Sequence, residues 1–89
     1  MLPGMLTFSD RASWDQDLSS VLLQANLEEV PIVCIVPTAM LTEDPLTETT
    51  ALQLVAQRRS EIEAGLRHQI EEGDFQRDGS VIYYPGHSP

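Results

Sequence analysis

The chain contains no lysine, a single cysteine and no hydrophobic run long enough to cross a bilayer. Each shortage removes a class of protein. Without lysine, five arginines stand against 14 carboxylates, and the formal charge is −9. A surface of that sign repels phosphates, so direct nucleic-acid binding is not expected. A lone Cys34 excludes an internal disulfide, and two histidines leave little capacity for a metal. The longest apolar run, Val30–Val36, is interrupted by Pro31 and falls far short of the roughly 20 residues of a membrane helix. Residues 1–6 carry neither a basic segment nor a long apolar core, so no signal peptide is read there. The setting expected is soluble and reducing, with Cys34 a buried small hydrophobe.

What is present fits one small domain over residues 1–89, since 42% of them are hydrophobic. A core of this size supplies only roughly 3–5 kcal/mol, which points to partner subunits as a further source of stability. The charge is uneven. Residues 1–57 carry eight carboxylates against Arg11, a net of −7, and residues 58–89 carry a net of −2. Such a surface suits a basic protein partner, or simply solubility.

Local patterns give the expected elements. Ser13 with Gln16 reads as a capping box, and Trp14, Leu18, Val21, Leu22 and Ala25 recur at helical spacing, so a helix is predicted over Ser13–Ala25. Val30–Val36 reads as a strand, placed at a sheet edge because Pro31 and Pro37 cannot donate to a ladder. The polar stretch Thr38–Thr50 follows. From Ala51 onward two readings compete. In one, a single helix runs over residues 47–72 with Leu52, Val55, Ile62, Leu66 and Ile70 as its stripe and Gly73 as its cap, giving an α/β fold. Gly65 costs that helix about 1 kcal/mol, and Arg59 has to snorkel out of the stripe. In the other, Ala51–Gln57 is a strand and Glu61–Ile70 a short helix. Glu71–Asp74 then forms a hairpin with Val81–Tyr84 through the turn Asp78-Gly79. Intrinsic propensity favours the long helix and the pattern does not decide between them. The fold class expected is α+β, an N-terminal helix with a small antiparallel sheet or barrel, with the long-helix α/β fold as the alternative.

Reactive chemistry is sparse. His68 with Glu71 and Glu72 is the one cluster that invites a metal, with His87 as a distant addition, but no second clustered histidine completes a site. The serines lack a nucleophile elbow, and the five glycines form no phosphate-binding loop. No catalytic, cofactor or metal residue is assigned, and a non-enzymatic protein without a small-molecule substrate is expected. Among the aromatics, Tyr83 and Tyr84 point to opposite faces of a strand, so one is a candidate partner contact.

From Val30 onward the chain resembles the small head–tail joining (neck or head-completion) proteins of long-tailed bacteriophages. The residues that carry this are Ile32–Val36, the polar segment Thr42–Thr50, Ala51–Ala56, Arg59-Ser60-Glu61-Ile62, Glu72-Gly73-Asp74, and Asp78-Gly79 with Ile82-Tyr83. The stretch from Ile62 to Glu72 is longer and more helical than that pattern, and the family's closing strand has no counterpart. The resemblance implies a structural protein of the virion or host cytoplasm, working through contacts with other protein subunits in an oligomeric assembly. It also implies that the loop holding Glu43, Asp44 and Leu46 touches a neighbour, and that acidic residues line a passage for DNA. The competing reading is a small acidic inhibitor or antitoxin-like partner that fills a basic site on its target.

Overall fold

The computed structural model describes residues 5–42 and 47–84. Three consecutive strands, β1 (Leu6–Asp15), β2 (Ser20–Leu27) and β3 (Val30–Pro37), pair antiparallel in chain order. A 3₁₀ turn at Thr38–Met40 and two helices, α1 (Glu48–Gln57) and α2 (Arg59–Glu71), then cross over the sheet. The chain returns in β4 (Val81–Ile82), which lies parallel to β3, so the strand order is β1-β2-β3-β4. A parallel neighbour requires a crossover of this length. The fold is therefore α+β, with its helices after the first three strands.

The N-terminal helix predicted over Ser13–Ala25 is instead the end of β1, a hairpin loop and most of β2. Leu18 is exposed in the loop, where its N–H donates to Asp15 Oδ1 at 3.1 Å. Across β2 the burial alternates. Val21, Leu23 and Ala25 face the core, while Leu22, Gln24 and Asn26 face the other way. The helical spacing was a coincidence of a two-sided strand, because β2 is apolar on part of both faces.

Val30–Val36 forms a strand, but an interior one. Its prolines are tolerated for a geometric reason. The Ile35 carbonyl accepts from Tyr83 N at 2.8 Å, so odd-numbered residues of β3 turn their backbone groups toward β4. Pro31 and Pro37 face that side too, beyond the reach of a two-residue strand whose partners are Cys34 and Ile35.

Ala51–Gln57, a strand in the second reading, is helical. Thr47 caps α1, its Oγ1 accepting from Thr50 N at 3.3 Å. The long helix over residues 47–72 is divided at Arg58 (φ −105°, ψ 18°). The predicted stripe has no apolar residue between Ala56 and Ile62, and the break lets α1 lie over β1 and β2 while α2 reaches β4. Ala51, Val55, Ile62, Leu66 and Ile70 close onto Val21, Leu23, Cys34, Val36 and Val81. Gly73 does end α2, at φ +75°: its N–H donates to Ile70 O and that of Asp74 to Gln69 O, a Schellman motif. The turn at Asp78-Gly79 also forms, with Gly79 N donating to Gln76 O at 3.0 Å. It leads into β4 beside β3, however, and not into a hairpin with Glu71–Asp74. The sheet stays open and mixed, where a small antiparallel sheet or barrel was expected.

Candidate functional site

Because both helices cover one side of the sheet, the residues that alternate with the core stand on an open face. They are Leu22 on β2, Val33 and Ile35 on β3, and Ile82 on β4. Val33 is 48% exposed, and Phe75, from the segment after α2, is 40% exposed at the margin of the face. Exposed apolar groups on a sheet face are costly to keep in water and mark contact surfaces when they cluster.

Two clefts share Val33 as the ridge between them. One, of about 600 Å³, lies among Leu27, Pro31, Ile35 and Phe75, with Glu28 and Asp78 at its wall. The other, of about 480 Å³, lies beside β1 among Ala12, Ser13, Leu22 and Gln24, with Arg11 at its wall. Arg11 is brought there by an irregularity in β1, where two extra residues are accommodated between Phe8 and Ala12. Asp78 is fixed by Ser80, whose N and Oγ donate to its Oδ1 at 3.0 and 2.6 Å. Those hydrogen bonds hold its carboxyl below the usual range, so it stays ionised at neutral pH.

The two ends of the sheet are treated differently. At β4, the fully buried Gln69 uses its side-chain amide as a substitute strand. Its Nε2 donates to Ile82 O at 2.7 Å and to Asp74 Oδ2 at 3.1 Å, and its Oε1 accepts from Tyr84 N at 3.2 Å. That closes the outer edge of β4 to a pairing partner. At β1, Arg59 donates to the Ser9 carbonyl and pairs with Glu63, which ties the irregular segment to α2. Arg67 adds a contact over the Phe8 ring, 5.8 Å from its centroid.

Of the residues predicted to make contacts, Glu43, Asp44 and Leu46 lie outside the described residues, as does His87. Tyr83 is 3% exposed and packs under α2, where it is part of the core and not of a surface. Tyr84 is exposed at the end of β4, as one of an alternating pair should be. His68 lies 3.7 Å from Glu72 on an exposed helix face, and among the described residues no three metal-ligating side chains converge. Cys34 is buried, and burial pushes its thiol up to about 11, far from the reactive range. Among the described residues no helix is long and apolar enough to cross a membrane.

The open face was missed in the sequence, though a signal was there. Val30–Val36 is apolar at nearly every position, and a strand without alternation has two apolar faces. Arg11, Glu28 and Asp78 carried no such mark, because only the fold brings them to the same face.

A crystal structure of a protein of unknown function from the DUF1488 family of Shewanella loihica PV-4 is similar, with a TM-score of 0.82 at 23% identity. The match covers 92% of this chain and 94% of that one, and at such identity it shows a shared fold. No curated protein matches the chain. The helix Ser13–Ala25 and strand Ala51–Ala56 that supported the head–tail resemblance take other forms, and neither match links the chain to such proteins. The profile of the family described as "Protein of unknown function (DUF1488)" matches residues 6–82, and the chain belongs to that family.

Proposed function

We propose that this protein is a non-enzymatic contact module that works by seating another protein surface on the open face of its sheet. The observation that carries this reading is an apolar row in which half-buried Leu22, Ile35 and Ile82 surround the exposed Val33, flanked by the exposed Phe75, on the face opposite the helices. Burying side chains of that kind under a partner is favourable by about 25 cal/mol per Å² of apolar area. The formal charge of −9 keeps the molecule soluble while that face is bare. A place in a larger assembly, the head–tail role included, is a narrower form of the same reading and rests on the resemblance alone.

The test is recovery of tagged protein from its native cells, with bound proteins quantified for wild type, Val33→Asp and Phe75→Ser. Both substitutions fall on exposed positions, so circular dichroism and melting should stay at wild-type values. Loss of the same bound proteins from both variants is expected. Bound proteins retained at wild-type levels by both variants would remove the open face as the working surface.

A further inference from the structure

We infer that the occupant of the open face is a second copy of this chain, related by a two-fold axis at Val33. This rests on the contact reading above and names its partner. Val33 lines both clefts, so an axis at that residue lays the cleft of one copy over the opposite cleft of the other. The charges then complement themselves. The cleft walled by Glu28 and Asp78 meets the one walled by Arg11, and the same pair of contacts forms twice. An isologous interface has this property: a patch that is acidic at one end, basic at the other and apolar between fits its own image.

The fold prepares each part. Asp78 is pre-ordered by Ser80, which holds its carboxylate in place at the cleft wall. Glu28 sits in the tight β2–β3 turn at φ 51°, and Arg11 stands on the irregular segment of β1 that Arg59 holds down. Gln69 closes the β4 edge, so association through that edge is blocked. Two sheets packed face to face stand about 10 Å apart with their strands roughly aligned, which Val33, Leu22 and Ile35 can fill.

Size sets the expected strength. Three strands of eight to ten residues about 4.8 Å apart, with the two-residue β4, give a face of roughly 450 Å² in plan, which places the paired faces among weak interfaces. The dimer should therefore dissociate at micromolar concentration, and sedimentation of the full chain should show mass rising from 9.9 kDa toward twice that as concentration increases.

The deciding experiment is sedimentation of wild type and three variants. Val33→Asp should leave a monomer at every concentration. Arg11→Glu should weaken the dimer by tenfold or more, since it sets like charges opposite Glu28 and Asp78. Arg11→Glu combined with Glu28→Arg exchanges the charges of that pair while Asp78 stays acidic, and should recover at least part of the association lost in Arg11→Glu. A wild-type monomer at about millimolar concentration would overturn the dimer alone, because recovery of other bound proteins tests the contact reading separately. A dimer indifferent to Val33→Asp, or one the double substitution fails to restore, would overturn the arrangement.

Discussion

Gly65 shows how one residue is set by another far along the chain. A Cβ placed there would come within 2.8 Å of Tyr83 Cε1, in the middle of α2. Helix propensity alone says that Gly65→Ala should stabilise by about 1 kcal/mol. Overpacking a buried ring costs about 1–3 kcal/mol, so the packing effect should win. Urea unfolding of Gly65→Ala is expected to show a net loss of about 1 kcal/mol, and a gain would mean that the Tyr83 ring yields freely. Gln69 is set by the strand it completes. In Gln69→Glu a carboxylate replaces the donor to Ile82 O and Asp74 Oδ2, and both partners then repel it. Its folded-state pKa would be raised, so the penalty should be present at neutral pH and shrink as the side chain takes up a proton. Thermal melts of this variant from pH 7 down to about pH 4.5 should therefore close part of the gap to wild type. A gap that does not narrow would show that the amide does not hold the β4 edge.

At the scale of elements, the β2–β3 turn is the place where the chain gives up most local stability. Glu28 and Glu29 occupy it at φ 51° and 72°, both in the left-handed region. Two-residue hairpin turns of this hand favour Asn-Gly, and each non-glycine residue held there costs about 1–2 kcal/mol. Replacing Glu28-Glu29 by Asn-Gly should raise the melting temperature by about 5–10 °C, on the usual scale of about 4–8 °C per kcal/mol for a domain of this length. An unchanged melting temperature would mean that neighbouring contacts already offset the strain. The same turn explains much of what the sequence hid. Nothing in Leu27-Glu28-Glu29-Val30 advertises a hairpin, and without it β2 passed for the end of a helix. The helical half was legible in one of its two readings. Thr47 as cap, Gly73 as terminus and the stripe through Val55, Ile62, Leu66 and Ile70 all follow from spacing. Its division at Arg58 follows only from where the sheet lies beneath it. The open face left a signal in the nearly continuous apolar run Val30–Val36 that was not read as such, whereas its charged walls depend on a turn, a bulge and a loop meeting in space.

For the whole molecule, charge and burial together shape stability against pH. Near neutrality the formal charge of −9 sets the chain against itself, so adding salt or lowering pH toward 5 should stabilise it or leave it level. Further acid removes a favourable contribution. Asp78 ionises more readily when folded, so what it adds is present above the unfolded carboxylate pKa and is lost as pH falls through its lowered value. The alkaline side is governed by groups that resist ionisation. Burial lifts the Cys34 thiol from 9.0 to about 11, against a smaller opposing pull from Arg59. The unfolded chain thus releases that proton first, and stability must fall between about pH 9 and pH 11. Tyr83, raised by burial and then by Glu61, adds to the same decline beginning near pH 10. Cys34→Ala separates the two. It should lower the urea midpoint at pH 7, because a buried side chain is cut back, yet flatten the decline from pH 9 to 10 and leave above pH 10 only the part due to Tyr83 and other groups. If wild type and Cys34→Ala declined in parallel across that whole window, the thiol would not be buried in the way the packing of Cys34 among Val21, Val36 and Val81 requires.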